Sequence, residues 1–174
     1  MAPLASLPGK PSRTVDGLPA PGRCLVMGVV NVTPDSFSDG GSWFEPAAAI
    51  DHGLTLHTQG ADLLDVGGES TRPGAERPPV DEELRRVLPV VRVLADEGIL
   101  LSVDTMRAHV AARGIESGAR MVNDVSGGLA DPDMLACVAD LGVDYIAMHW
   151  RAHGSVMQQQ ASYHDVVAEV QTYV

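Results

Sequence analysis

At 174 residues, 45% hydrophobic and 20% charged, the chain has the apolar content to bury a core, and a net charge of -11 argues against a nucleic-acid surface. Cys24 and Cys137 sit in apolar runs rather than in a disulfide framework, and no apolar run approaches the roughly 18 residues of a membrane span. The expectation is a cytoplasmic protein that engages neither nucleic acid nor membrane. An anionic small molecule stays open to it, because local Arg side chains, backbone N–H groups or a metal can hold one.

Residues 1–22 are rich in Pro, Ala, Gly and Ser and lack a signal peptide's apolar segment, so they read as a disordered leader before one domain over 23–174. Short apolar runs of the kind buried on both faces of a parallel sheet then recur at 25–30, 62–66, 99–103, 119–125 and 143–148. Stretches of helical period separate them at 46–59, 81–97, 106–117 and 131–141, and an apparent fifth helix covers 163–174. Pro46, and Asp131 with Pro132, look like helix starts, and Gly60, Gly98, Gly118 and Gly142 each follow a helix as a cap would. Five successive βα steps predict a parallel α/β architecture with right-handed crossovers.

Ligands bind such sheets beyond the carboxyl ends of the strands. The first run delivers Asn31-Val32-Thr33-Pro34-Asp35-Ser36-Phe37-Ser38-Asp39-Gly40-Gly41, a loop too polar for a core. The next four ends carry Gly67-Gly68-Glu69-Ser70-Thr71-Arg72-Pro73-Gly74, Asp104-Thr105, Asn123-Asp124-Val125-Ser126-Gly127-Gly128, and Met148-His149-Trp150-Arg151. Plainer readings stand beside each. A lone Asp-Ser is an ordinary turn, Asp104 would suit the N-cap of a helix from Met106, Asn123 could bond its own backbone, and Arg72 could be a surface charge.

The first, second, third and fourth of these segments resemble the motifs of dihydropteroate synthases, in order and in spacing, and the resemblance runs from about Cys24 to the last residue. It implies an incomplete (βα)8 TIM barrel with about five βα units and parallel strands. It implies a folate-pathway reaction in which 6-hydroxymethyl-7,8-dihydropterin pyrophosphate condenses with 4-aminobenzoate to give 7,8-dihydropteroate and pyrophosphate. By the same resemblance Asn31 supplies an oxygen to Mg2+, Asp35, Thr71 and Arg72 serve the chemistry, Phe37 and Pro73 line the aminobenzoate pocket, and Asp104, Asn123 and Met148 hold the pterin. The resemblance also implies a homodimer for the full-length protein.

Chemistry supports the pterin contacts independently. An amino-pyrimidinone edge alternates donors and acceptors; a carboxylate holds paired donors, and a primary amide meets a donor beside an acceptor. A polarizable Met could lie under the ring, although a Met is more often core filling. His149, His153 and His164 lack the acid-rich helix of a zinc motif, and His57 and Trp43 read as structural. A barrel of eight units needs roughly 250 residues. The chain therefore reads as an amino-terminal portion, inactive alone. A pterin-dependent methyltransferase on a similar barrel and a non-catalytic pterin-binding paralogue are the alternatives.

Overall fold

The computed structural model describes residues 15, 17–18, 22–33, 46–70 and 74–173. Five strands, β1 (Met27–Asn31), β2 (Leu63–Gly67), β3 (Leu101–Asp104), β4 (Met121–Asp124) and β5 (Asp144–Ala147), form one sheet in sequence order, every neighbouring pair parallel. Between and after them run α1 (Pro46–Thr58), α2 (Val80–Asp96), α3 (Ala108–Glu116), α4 (Met134–Leu141) and α5 (Val166–Tyr173), with a 3-10 turn at Met157–Gln160. This is the succession of five βα units expected for part of a (βα)8 barrel. Among the described residues β1 and β5 each have a strand neighbour on one side only.

Strand alternation sorts the side chains into two layers. Val30, Val66, Val103 and Val122 point to the helices and are fully buried, packed with Val87, Val90, Val91 and Leu94 of α2. The opposite face presents Asn31, Gly67, Asp104 and Asn123, which are register partners from β1 to β4. The core is thus the apolar sheet–helix layer. The polar residues have been sorted to the other face, at one end.

The glycines after α1 to α4 behave as the sequence predicts, Gly60, Gly98, Gly118 and Gly142 all having positive φ. Two predicted helix starts shift for one reason. Asp131 does not begin α4; its Oδ1 accepts from Asp133 N at 3.0 Å and its Oδ2 from Ala108 N at 2.8 Å, so it supplies an acceptor to the first amide of the neighbouring helix α3. The last helix begins at Val166 rather than at 163, because Asp165 Oδ1 caps it, accepting from Val167 N at 3.1 Å and Ala168 N at 3.0 Å.

Helix α3 approaches β3 through Gly114, where an added Cβ would lie 3.0 Å from three side-chain atoms of Val103. Gly114→Ala gains up to about 1 kcal/mol of helix propensity but overpacks a stiff β-branched neighbour, at about 1–3 kcal/mol. Net destabilisation is expected in denaturant melts, and a more stable variant would contradict this packing. Among the described residues no helix is long and apolar enough to cross a membrane.

Candidate active site

The polar face is organised by a residue that the sequence reading passed over. Asp65, in the middle of the apolar strand β2, is 4% exposed and accepts from Ser102 Oγ at 2.5 Å and from Asn123 Nδ2 at 2.7 Å. Burial raises its pKa, against the lowering effect of those two hydrogen bonds. The consequence is orientation. With the amide nitrogen of Asn123 turned to Asp65, its Oδ1 is buried and has no hydrogen-bond partner. A buried acceptor without a donor is costly unless a ligand or water completes it. Asn123 is therefore a strand residue fixed from the side, not a loop residue bonded to its own backbone.

Asp104 ends β3, between Gly67 of β2 and Asn123 of β4. It is not a helix cap. Arg107 occupies that position in α3, and the Arg107 amide is taken by Thr105 Oγ1 at 3.2 Å. Burial, with the negative charges of Asp65, Glu83, Glu69 and Asp124 around it, pushes the Asp104 carboxyl up to about 8. Its side chain occupies space that only glycine leaves at position 67, since a Cβ there would lie 2.9 Å from Asp104 Oδ2 and 3.2 Å from Asp104 Cβ. Gly67→Ala should displace the carboxylate and weaken about tenfold, or about 1.4 kcal/mol, the binding of a ligand held by Asp104, with little change in fold. Fluorescence titration checks it, and unchanged affinity would dissociate Asp104 from the ligand.

The fourth and fifth strand ends are joined through Asp124, which is fully buried. It accepts from Ser126 N at 2.8 Å, Ser126 Oγ at 2.7 Å, Gly128 N at 2.9 Å and Tyr145 OH at 2.8 Å. Burial and this carboxylate raise the Tyr145 pKa. The backbone of Asp124 also receives Met148 N at 3.3 Å, which holds the partly exposed Met148 just past β5. Beyond it, His149 Nε2 lies 3.0 Å from Tyr163 OH and the His153 ring meets Trp150 edge-on, with centroids 5.0 Å apart. His57 is exposed in the last turn of α1.

The described residues of the segment after β2 lie at this same end. Arg77 Nε donates to Glu69 Oε1 at 2.8 Å, and Gly74 N donates to Gly154 O at 2.9 Å, so it touches the segment after β5. Asp35, Phe37, Thr71, Arg72 and Pro73, and Trp43 with them, lie outside the described residues. Asn31 is exposed at the end of β1, on the same face as Asp104 and Asn123. Among the described residues no three His, Cys, Asp or Glu side chains gather to hold a metal ion.

Asn31, Asp104, Asn123 and Met148 thus stand at one end of the sheet, and the structure adds Asp65 and Ser102 beneath them. The signal for Asp65 was present in the sequence as a single acid inside an apolar run, a placement that is unusual unless the acid is partnered.

A family model described as pterin binding enzyme matches residues 27–174. The dihydropteroate synthase of Mycobacterium leprae is 54% identical over 146 residues, covering 83% of this chain and 51% of that one. The structure of Xanthomonas albilineans dihydropteroate synthase with 4-aminobenzoic acid superposes with a TM-score of 0.77 at 50% identity, over 87% of this chain and 53% of that one. A complex of the Xanthomonas albilineans enzyme with 7,8-dihydropteroate gives a TM-score of 0.73 at 46% identity, over 87% and 52% of the two chains. The chain spans about half the length of the curated dihydropteroate synthases it matches, and less of the bifunctional relatives. With every strand of the sheet inside the matched region, the chain belongs to the pterin-binding enzyme family.

Proposed function

We propose that this chain supplies the pterin-holding half of a dihydropteroate synthase site. One observation carries the reading: the buried Asn123 amide, turned by Asp65 so that Oδ1 has no partner, lies on the strand end next to the Asp104 carboxyl. Together they offer a carboxylate for paired N–H donors and an amide for a neighbouring donor–acceptor step, the pattern of an amino-pyrimidinone edge. The relatives crystallised with 4-aminobenzoic acid and with 7,8-dihydropteroate support the same substrate and product here.

In this reading Asp104 and Asn123 fix the pterin ring, and Met148 gives it a polarizable surface. The bond from the pterin methylene carbon to the diphosphate oxygen breaks, leaving a cation that the electron-rich ring stabilises. The amine nitrogen of 4-aminobenzoate then bonds to that carbon and loses a proton. A Mg2+ ion held by Asn31 and diphosphate oxygens would neutralise leaving-group charge when bound. By the family resemblance Asp35, Thr71 and Arg72 would serve the diphosphate and the reacting carbon, and Phe37 and Pro73 the aminobenzoate. A cytoplasmic location, in keeping with the free thiols of Cys24 and Cys137, and the homodimer implied by the family resemblance complete the proposal.

Titration with 6-hydroxymethyl-7,8-dihydropterin pyrophosphate in Mg2+ buffer tests the assignment. Saturable binding that is lost in Asn123→Leu is the expected result. Absence of binding by the unsubstituted protein, or equal binding by the variant, would remove the basis for the reading.

A further inference from the structure

Glu83 is out of place in α2. The other buried residues of that helix are Val87, Val90, Val91 and Leu94, yet Glu83 is fully buried among them. Its Oε1 accepts from Thr105 Oγ1 at 2.6 Å, and its Oε2 pairs with the Arg107 guanidinium. Thr105 Oγ1 accepts in turn from Arg107 N at 3.2 Å, so both capacities of that hydroxyl are committed. These contacts hold the turn that immediately follows Asp104. Arg107 extends the connection: Nη2 donates to Pro78 O at 2.8 Å and Nη1 lies 3.7 Å from Glu69 Oε2, while Glu69 Oε1 takes Arg77 Nε at 2.8 Å.

A buried ionic group of this kind is weak as a source of stability, because desolvation offsets its attraction, and an apolar residue would serve packing as well. What a fully partnered carboxylate provides is a defined geometry. Here it links the outer helix layer to two segments of the site at once.

We propose that Glu83 is a positioning residue, fixing the 104–107 turn that carries Asp104 at the end of β3 and coupling that turn through Arg107 to residues 69–70 and 74–78. The ligand in this proposal rests on the pterin reading above; the coupling between the segments does not.

Glu83→Gln, Thr105→Val, Thr105→Ser and the exposed-pair control Glu116→Gln test it by hydrogen exchange and by titration with 6-hydroxymethyl-7,8-dihydropterin. In Glu83→Gln and Thr105→Val, amides at 105–108 and 74–77 should exchange about tenfold faster while those at 90–94 keep their protection. Dihydropterin should bind about tenfold more weakly. Thr105→Ser should restore both properties, and Glu116→Gln should match the unsubstituted protein. If Glu83→Gln does not fold, the Thr105 pair decides alone. Unchanged exchange at 74–77, or acceleration spread evenly over the sheet, would overturn the coupling. Failure of the unsubstituted protein to bind dihydropterin would refute the pterin reading, and the exchange result would still decide the role of Glu83.

Discussion

Asp104→Ala is expected to remove most of the pterin affinity, and Asp104→Asn nearly as much. Alanine removes a charge-assisted pair of hydrogen bonds, a loss of roughly 2–4 kcal/mol, or about 30- to 1000-fold in affinity. Asparagine keeps the shape but turns one acceptor into a donor that faces a donor. The unsubstituted carboxyl, pushed up to about 8, must lose its proton to accept both ligand donors, so affinity should rise as pH increases toward 9.

The same shift makes Asp104 a stability liability. Its folded pKa lies above the unfolded value of about 3.9, so the folded protein binds more protons than the unfolded chain between those values. The contribution is fully present below about pH 4 and is lost as pH rises through about 8. Asp104→Asn, neutral throughout, should therefore melt higher than the unsubstituted protein at pH 8–9, by about 0.5–2 kcal/mol, and show no such gain at pH 4. Titration calorimetry and thermal melts across that range measure both effects. A variant that binds pterin normally, or one destabilised at pH 9, would sink the assignment.

Asp124→Ala should be the most damaging substitution for folding near the site. It strips one fully buried carboxylate from four donors: Ser126 N, Ser126 Oγ, Gly128 N and Tyr145 OH. Buried donors left without an acceptor lose water on folding and gain nothing, which puts the loss on the order of 3–5 kcal/mol. Tyr145→Phe removes only one of the four contacts and should cost about 1 kcal/mol. The double variant should be no less stable than Asp124→Ala, because the Tyr145 bond is already gone. Urea melts of the three variants decide it; a loss under about 1 kcal/mol in Asp124→Ala would mean that solvent replaces the carboxylate.

The five βα steps, the four cap glycines and the strand-end motifs were legible in the sequence because each depends on local physics. Val30, Val66, Val103 and Val122 lie in short apolar runs that must be buried, Gly60 and Gly142 supply backbone conformations that other residues resist, and the polar residues that stop each run mark where a strand leaves the core. The motif run likewise placed Asp104 and Asn123 at strand ends, and the sheet register makes them neighbours.

Only the tertiary structure decided what lies opposite those residues. Asp65 orients Asn123 across 58 positions of sequence, Glu83 holds Thr105 across 22, and Asp131 caps a helix that begins 23 residues before it. A helix or strand period records which face a side chain takes, but not which partner meets it there. That choice is made when strands pair and helices pack. The same closure desolvates Asp104 among Asp65, Glu83, Glu69 and Asp124, so an acid that reads as an ordinary carboxylate in the sequence acquires its raised pKa from groups that only the fold brings near it.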